Sequence, residues 1–202
     1  MAAYRLGITG GIGSGKSGVS RLLRVMGIPV YDTDAEARRL MQSSPAIRSA
    51  LVALVGPEVY GADGTLQRQR LAEYMFGNPD RVAAVNAIVH PVVRADFRQW
   101  ATSFEETDVV AVESAILIEA GMEADVDAVA VVIAPEEERV ARAVARDGAT
   151  PQQIKARMAN QLSDNDRLPH ARFVIRNAEA DAITPQVVAM VDEIRNKLNI
   201  KH

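Results

Sequence analysis

Gly10-Gly11-Ile12-Gly13-Ser14-Gly15-Lys16-Ser17 carries the densest chemical signal in the sequence. The run fits the pattern G-x-x-x-x-G-K-S/T, and each position has a physical job. The glycines reach positive φ at little cost, so main-chain N–H groups can turn inward around an anion. The start of a following helix adds unpaired N–H donors and the positive end of a dipole. The Lys16 ammonium would meet the β- and γ-phosphates of a nucleoside triphosphate. The Ser17 hydroxyl would ligate Mg²⁺, a small hard cation that takes few protein oxygens and keeps several waters. Gly18 weakens the first helical turn by about 0.5–1 kcal/mol relative to alanine and removes a side chain that could have touched a phosphate. A tight glycine turn that binds nothing is the bland alternative. The strand before, the helix after and the Lys-Ser pair all weigh against it.

Guanine-switch chemistry is disfavoured. No D-x-x-G occurs, and the nearest approach to N-K-x-D, Asn196-Lys197-Leu198-Asn199, lacks the aspartate. A small-molecule kinase needs a base for the acceptor hydroxyl, a metal environment and positive charge that closes over the transferring group. Asp32 and Asp34 offer the first two if strand geometry persists through both, since alternate residues then share a side. The competing reading is a strand-to-helix junction with one aspartate as helix cap. Arg139, Arg142 and Arg146 share one helix face. They read either as a lid over phosphates or as a solvated face balanced by Glu136, Glu137 and Glu138. His90 stands alone in an apolar stripe, where a structural role is commoner than a metal-binding one.

Elements must position these groups. Tyr4 to Thr9 reads as a buried strand running into the glycines. Val19, Leu22, Leu23 and Met26 mark a helix that Gly27 ends. Ile28 to Tyr31 reads as a second strand, and Ala35 to Gln42 as the next helix. From about Pro45 to Phe104 the pattern is mostly helical, interrupted by the turn signal Gly61-Ala62-Asp63-Gly64. Asn78-Pro79 reads as a cap with proline at the first helical position. The stripe Val82, Val85, Ile88, Val89, Val92, Val93, Phe97 and Trp100 follows, and Pro91 inside it predicts a break or kink near His90. Val109 to Glu113 and Ala128 to Ile133 are continuous apolar runs, as strands buried on both faces should be. Pro135 opens a helix through Arg146, and Thr150 to Gln153 matches a capping box. Phe173 to Arg176 is a last strand, and Thr184-Pro185 starts a terminal helix. The alternation implies an α/β fold with an open, parallel five-stranded sheet of P-loop NTPase type. Ligands bind such sheets beyond the C-terminal strand ends, where Asp32, Asp34 and Glu113 fall beside the glycine loop.

Composition bounds the rest. The 202 residues suit one core with insertions, and 48% hydrophobic content is ordinary for a globular chain. A formal net charge of −3 disfavours a general nucleic-acid partner. There is no cysteine, which removes disulfides, thiolate metal sites and cysteine nucleophiles. Met1-Ala2-Ala3-Tyr4-Arg5 lacks the apolar run of a signal peptide, and Ala128 to Ala134 is too short to span a bilayer. The expectation is a cytoplasmic protein with no nucleic-acid, membrane or obligate protein partner.

Taken in order, these pieces resemble the dephospho-CoA kinase family. Gly7 to Ser17 resembles its opening, and Asp32-Thr33-Asp34 with Ala37-Arg38 its D-x-D-x-x-A-R element. Asp63 to Arg68 is similar to its G-x-L-x-R entry, and Asn86 to His90-Pro91 to its helix–His–Pro element. Arg139 to Asp147, Arg157 and Gln161 resemble its lid, and Phe173 to Asn177 its last strand and adenine-side asparagine. The chain departs from the family pattern at Gly18, Ala115, Arg172 and Ala178. The resemblance implies transfer of the ATP γ-phosphate to the ribose 3′-hydroxyl of dephospho-CoA, with Mg²⁺. Asp34 would be the base, and Lys16 and Arg142 would stabilise the transferring group. Gly11, Gly13, Ser14, Gly15, Lys16, Ser17 and Gly18 would hold the nucleotide, with Arg146 and Asn177 near adenine. Ser17 would ligate the metal, with Asp32 or Glu113 acting through water. Thr9, Asp34, Arg68 and His90 would meet the acceptor. A core over about 1–60, 105–135 and 169–202, a helical acceptor-binding insertion over 61–104 and a lid over 136–168 are implied. Another small P-loop kinase, a nucleotide-binding regulator without transfer activity, and a scaffold using the helical stripe are the alternatives.

Overall fold

The computed structural model describes residues 3–104 and 109–198. Met1, Ala2, the expected boundary at residue 105 and Asn199 lie outside them. The chain divides into two compact units, one holding the chain up to Asp32 and from Trp100 onward, the other Thr33–Gln99.

In the first unit the described residues form a five-stranded sheet: β1 (Tyr4–Thr9), β2 (Val30–Asp32), β3 (Val109–Glu113), β4 (Ala128–Ile133) and β5 (Phe173–Arg176). The order is β2-β3-β1-β4-β5, and every pairing is parallel. β1 therefore lies centrally, with Ile8 opposite Glu113 and Thr9 opposite Val131. The register also pairs Asp32 with Glu113, so two carboxylates stand on neighbouring strand ends. β2 begins two residues later than the apolar run suggests, because Pro29 has no N–H to give a ladder while its carbonyl accepts from Ala111.

One sheet face buries Leu6, Ile8, Ala111, Ala130 and Val132 against α1 (Lys16–Val25) and the chain's last described helix, Ile183–Lys197. Val19 and Leu23 supply the α1 contribution, and Val187, Met190, Val191 and Ile194 that of the terminal helix. On the other face Gly7 leaves room for the fully buried Leu117, whose Cδ1 would stand 2.8 Å from an added Cβ.

The second unit is helical. α2 (Thr33–Ser43) follows β2 directly, so Asp34 lies in a first helical turn and strand geometry does not persist beyond Asp32. Of the two readings the sequence leaves open for Asp32 and Asp34, the structure takes the strand-to-helix junction, a strand end at Asp32 followed by a helix start at Thr33. Next come α3 (Pro45–Val55), α4 (Arg68–Met75) and α5 (Pro79–Thr102). The Gly61 to Gly64 turn forms, with Asp63 accepting from the Thr65 N–H and hydroxyl at 2.9 and 2.8 Å. Asn78 Oδ1 caps α5 by accepting from the Arg81 N–H at 3.1 Å.

Pro91 does not break α5, which runs continuously through it. Proline removes one donor, but it sits on the exposed side while Val85, Val89, Val93 and Phe97 bury at four-residue spacing through both halves. Val82, expected on that stripe, is exposed. Arg39 reaches from α2 to Asp96 of α5 at 2.8 Å. The Tyr60 hydroxyl donates to the Met41 carbonyl at 2.6 Å.

After β4 come α6 (Glu136–Asp147), α7 (Pro151–Met158), the single turn α8 (Asp164–Arg167) and, beyond β5, the terminal helix α9 (Ile183–Lys197). Three glutamates open α6 and Arg146 closes it, in the sense that its dipole favours. The Thr150–Gln153 capping box at α7 is present in both directions. No described helix is long and apolar enough to cross a membrane.

Candidate active site

The loop between β1 and α1 has the shape its glycines allow. Gly13 and Gly15 adopt φ of 76° and 99°. An added Cβ at Gly13 would lie 2.7 Å from the Arg139 carbonyl carbon, and one at Gly15 would overlap the Asn177 side-chain amide. Glycine is required twice over at both positions, by backbone conformation and by close approach. Ser14 N–H donates to the Gly11 carbonyl at 3.1 Å, which tightens the turn.

Lys16 opens α1 and folds back over the loop, with Nζ donating to the Gly10 and Gly11 carbonyls at 2.9 and 3.2 Å. Its charge is thereby held against the loop's own main chain. The Gly18 N–H donates to the Gly15 carbonyl at 2.9 Å, and a Cβ there would make only ordinary contact with Ile183 at 3.4 Å. Thr9 and Ser14 are fully buried, and their hydroxyls have no partner among the described residues. Unpaired buried hydroxyls are uncommon in native proteins.

Ser17 Oγ donates to Glu113 Oε1 at 3.0 Å. Asp32 stands beside Glu113 in the sheet register. One hydroxyl and two carboxylates make a hard oxygen donor set that suits Mg²⁺, which takes few protein ligands and completes its shell with water and phosphate. They do not suit a metal that needs a full protein cage, and no cluster of three or more His, Asp or Glu ligands occurs among the described residues.

Positive charge converges from α6. Arg142 donates to the Asn177 carbonyl at 2.9 Å and pairs with Glu138 at 2.7 Å. Asn177 in turn donates its side-chain N–H to the Ser14 carbonyl at 2.8 Å, so β5, α6 and the loop are linked through one residue. Arg139 is only 8% exposed. Its Nε donates to the Ile12 carbonyl at 3.0 Å, and its guanidinium occupies the space a side chain at Gly11 would need. Arg146 lies elsewhere on the helix, paired with Asp147 at 2.7 Å. Hydrogen bonds from Arg146 and Arg157 hold the Asp147 carboxyl down at about 2.

The structure thus gathers Thr9, the loop, Lys16, Ser17, Glu113, Asp32, Arg142 and Asn177 in the first unit. Asp34, Arg68 and His90 belong to the second unit: Asp34 exposed on α2, Arg68 exposed at the start of α4, and His90 half-buried in α5. Burial pushes the His90 imidazole below its ordinary value. Arg139 and Gln161 are the loop contacts that sequence reasoning assigned only to a helix face and a lid. The spacing of three between Arg139 and Arg142 put them on one face but could not say that one of them packs on glycine.

Comparison with known proteins supplies the family. The dephospho-CoA kinase (CoaE) family model matches residues 4–182. A dephospho-CoA kinase from Bacteroides fragilis is 44% identical over 197 residues, covering 98% of this chain and 96% of that protein. A crystal structure of a Thermus thermophilus protein superposes with a TM-score of 0.81 at 33% identity, covering 98% of this chain and 99% of the other. A dephospho-CoA kinase structure from Campylobacter jejuni shares the fold, with a TM-score of 0.64 at 21% identity over 95% of this chain and 97% of that one. With a formed phosphate loop at its centre and a match over almost its whole length, the chain belongs to the dephospho-CoA kinase family.

Proposed function

We propose that the chain transfers the γ-phosphate of ATP to the ribose 3′-hydroxyl of dephospho-CoA, giving coenzyme A and ADP. The observation that carries this is the loop itself: Lys16 curled over it and Ser17 joined to Glu113, in a chain matched throughout by dephospho-CoA kinases. In this reading Gly11, Gly13, Ser14, Gly15, Lys16, Ser17 and Gly18 hold the triphosphate. Arg146 and Asn177 flank the adenine. Thr9, Asp34, Arg68 and His90 meet the acceptor.

The chemistry balances simply. The acceptor 3′-oxygen forms a bond to the γ-phosphorus as the bond from that phosphorus to the bridging oxygen of ADP breaks. The hydroxyl proton passes to the Asp34 carboxylate. Lys16 and Arg142 offset charge on the transferring group and the leaving oxygen. Ser17, with Asp32 or Glu113 through water, would hold Mg²⁺, which would neutralise phosphate charge when bound. A cytoplasmic enzyme without obligate protein, nucleic-acid or membrane partners is the simplest form of this reading, in keeping with the formal net charge of −3.

The test is ADP production with dephospho-CoA, AMP and shikimate as acceptors. A kcat/KM preference for dephospho-CoA above about tenfold, or roughly 1.4 kcal/mol of transition-state discrimination, is expected. A smaller preference contradicts the acceptor assignment.

A further inference from the structure

The phosphate loop is glycine-rich and so conformationally permissive, yet a cradle must hold its shape before the ligand arrives. Ile12, near its apex, shows how this is done. The Ile12 N–H donates to Gln161 Oε1 at 2.9 Å, and the Ile12 carbonyl accepts from Arg139 Nε at 3.0 Å. Both main-chain groups of one residue are thus held by side chains from far along the chain, one on α6 and one just after α7.

Each anchor is itself braced. Gln161 Nε2 donates to the Ala115 carbonyl at 3.4 Å, just beyond the end of β3. Arg139 pairs with Asp164 at 3.1 Å. Asp164 also faces Arg167 at 3.5 Å, and Arg167 reaches Glu119 at 3.2 Å. Glu119 accepts from the Leu162 N–H at 3.1 Å, beside Gln161 in sequence. Arg167 is fully buried, and its Nε has no partner among the described residues. A buried guanidinium is costly to desolvate and is a poor source of net stability. A chain of ions that ends on the loop apex is better explained by the geometry it fixes.

We infer that Gln161 is a positioning residue for the nucleotide, acting through Ile12 together with Arg139. The inference rests on the reading that this loop holds a triphosphate. Its consequence is selective: the nucleotide side of the reaction feels Gln161, and the acceptor side does not.

The experiment compares wild type and Gln161→Leu by calorimetric MgATP titration, steady-state kinetics in both substrates, and thermal unfolding. Leucine removes both hydrogen bonds at little change in size. The leucine variant should bind MgATP about tenfold more weakly, with KM for dephospho-CoA within about twofold of wild type. If the leucine variant does not fold, Arg139→Met removes the carbonyl-side anchor and should show the same split. Wild-type MgATP affinity in a folded variant, or equal losses for both substrates, would overturn the inference alone. A wild-type chain that binds no MgATP would overturn the phosphate-loop reading, and this inference with it.

Discussion

Lys16, Ser17 and Glu113 illustrate how much the chemistry depends on single atoms. The ammonium of Lys16 rests on two loop carbonyls, so a triphosphate has to compete only for a group already in place. Ser17 and Glu113 share one hydrogen bond at 3.0 Å, which fixes a hydroxyl and a carboxylate together before any cation arrives. Glu113→Gln removes the charge and keeps the shape. It should raise the Mg²⁺ concentration for half-maximal activity by about threefold or more, with ATP saturation at high Mg²⁺ little changed. An unaltered Mg²⁺ dependence would take Glu113 out of the metal environment. In the proposed reaction Asp34 takes the proton of the acceptor hydroxyl. Asp34→Asn should leave MgATP binding intact while kcat falls at least ~100-fold, the usual scale for loss of a general base. Full turnover in that variant would remove Asp34 from the reaction.

Elements were legible where pattern and punctuation coincided. The runs Tyr4 to Thr9, Val109 to Glu113 and Ala128 to Ile133 are strands with the expected bounds, because continuous apolar runs suit strands covered on both faces. Asn78-Pro79 and the Thr150–Gln153 box start helices, since each supplies a partner for an orphan N–H. Proline misled at Pro91: a local rule predicted a break, and the buried face of α5 outweighed it. Asp34 stays open between strand and helix in the sequence, because nothing in Asp32-Thr33-Asp34 says where the strand stops and the helix begins; the structure takes the junction.

The same helix yields a pH prediction. Burial lowers the His90 pKa, so the folded chain binds fewer protons there than the unfolded chain. Stability therefore falls as pH drops below the unfolded value of about 6.5, and is unaffected well above it. Thermal unfolding at pH 7.5 and 5.5 should show a smaller loss for His90→Gln than for wild type. An equal or larger loss in the variant would mean that His90 is not the group being charged.

At the scale of the molecule, the sheet order places β1 centrally and delivers its loop between the ends of β3 and β4. A parallel five-stranded sheet with a phosphate loop follows from strand–helix alternation and the Gly10–Ser17 pattern, but the strand order does not. Nor do the ties that shape the loop. Arg139 and Gln161 reach Ile12 across 127 and 149 residues, and no local spacing announces such a contact. Asn177 was placed by resemblance alone, and the structure gives it a concrete bond, to the Ser14 carbonyl at 2.8 Å. Motifs carry chemistry in sequence, whereas bracing side chains become visible only when distant segments are brought together.

All of this depends on main-chain amides and one ammonium group holding a triphosphate at the end of β1. Calorimetric titration of MgATP into wild type and Lys16→Ala, each first shown to unfold cooperatively, addresses that directly. Saturable one-to-one binding in wild type, weakened at least about tenfold by the substitution, is the predicted result. Equal affinity in the two proteins would contradict it.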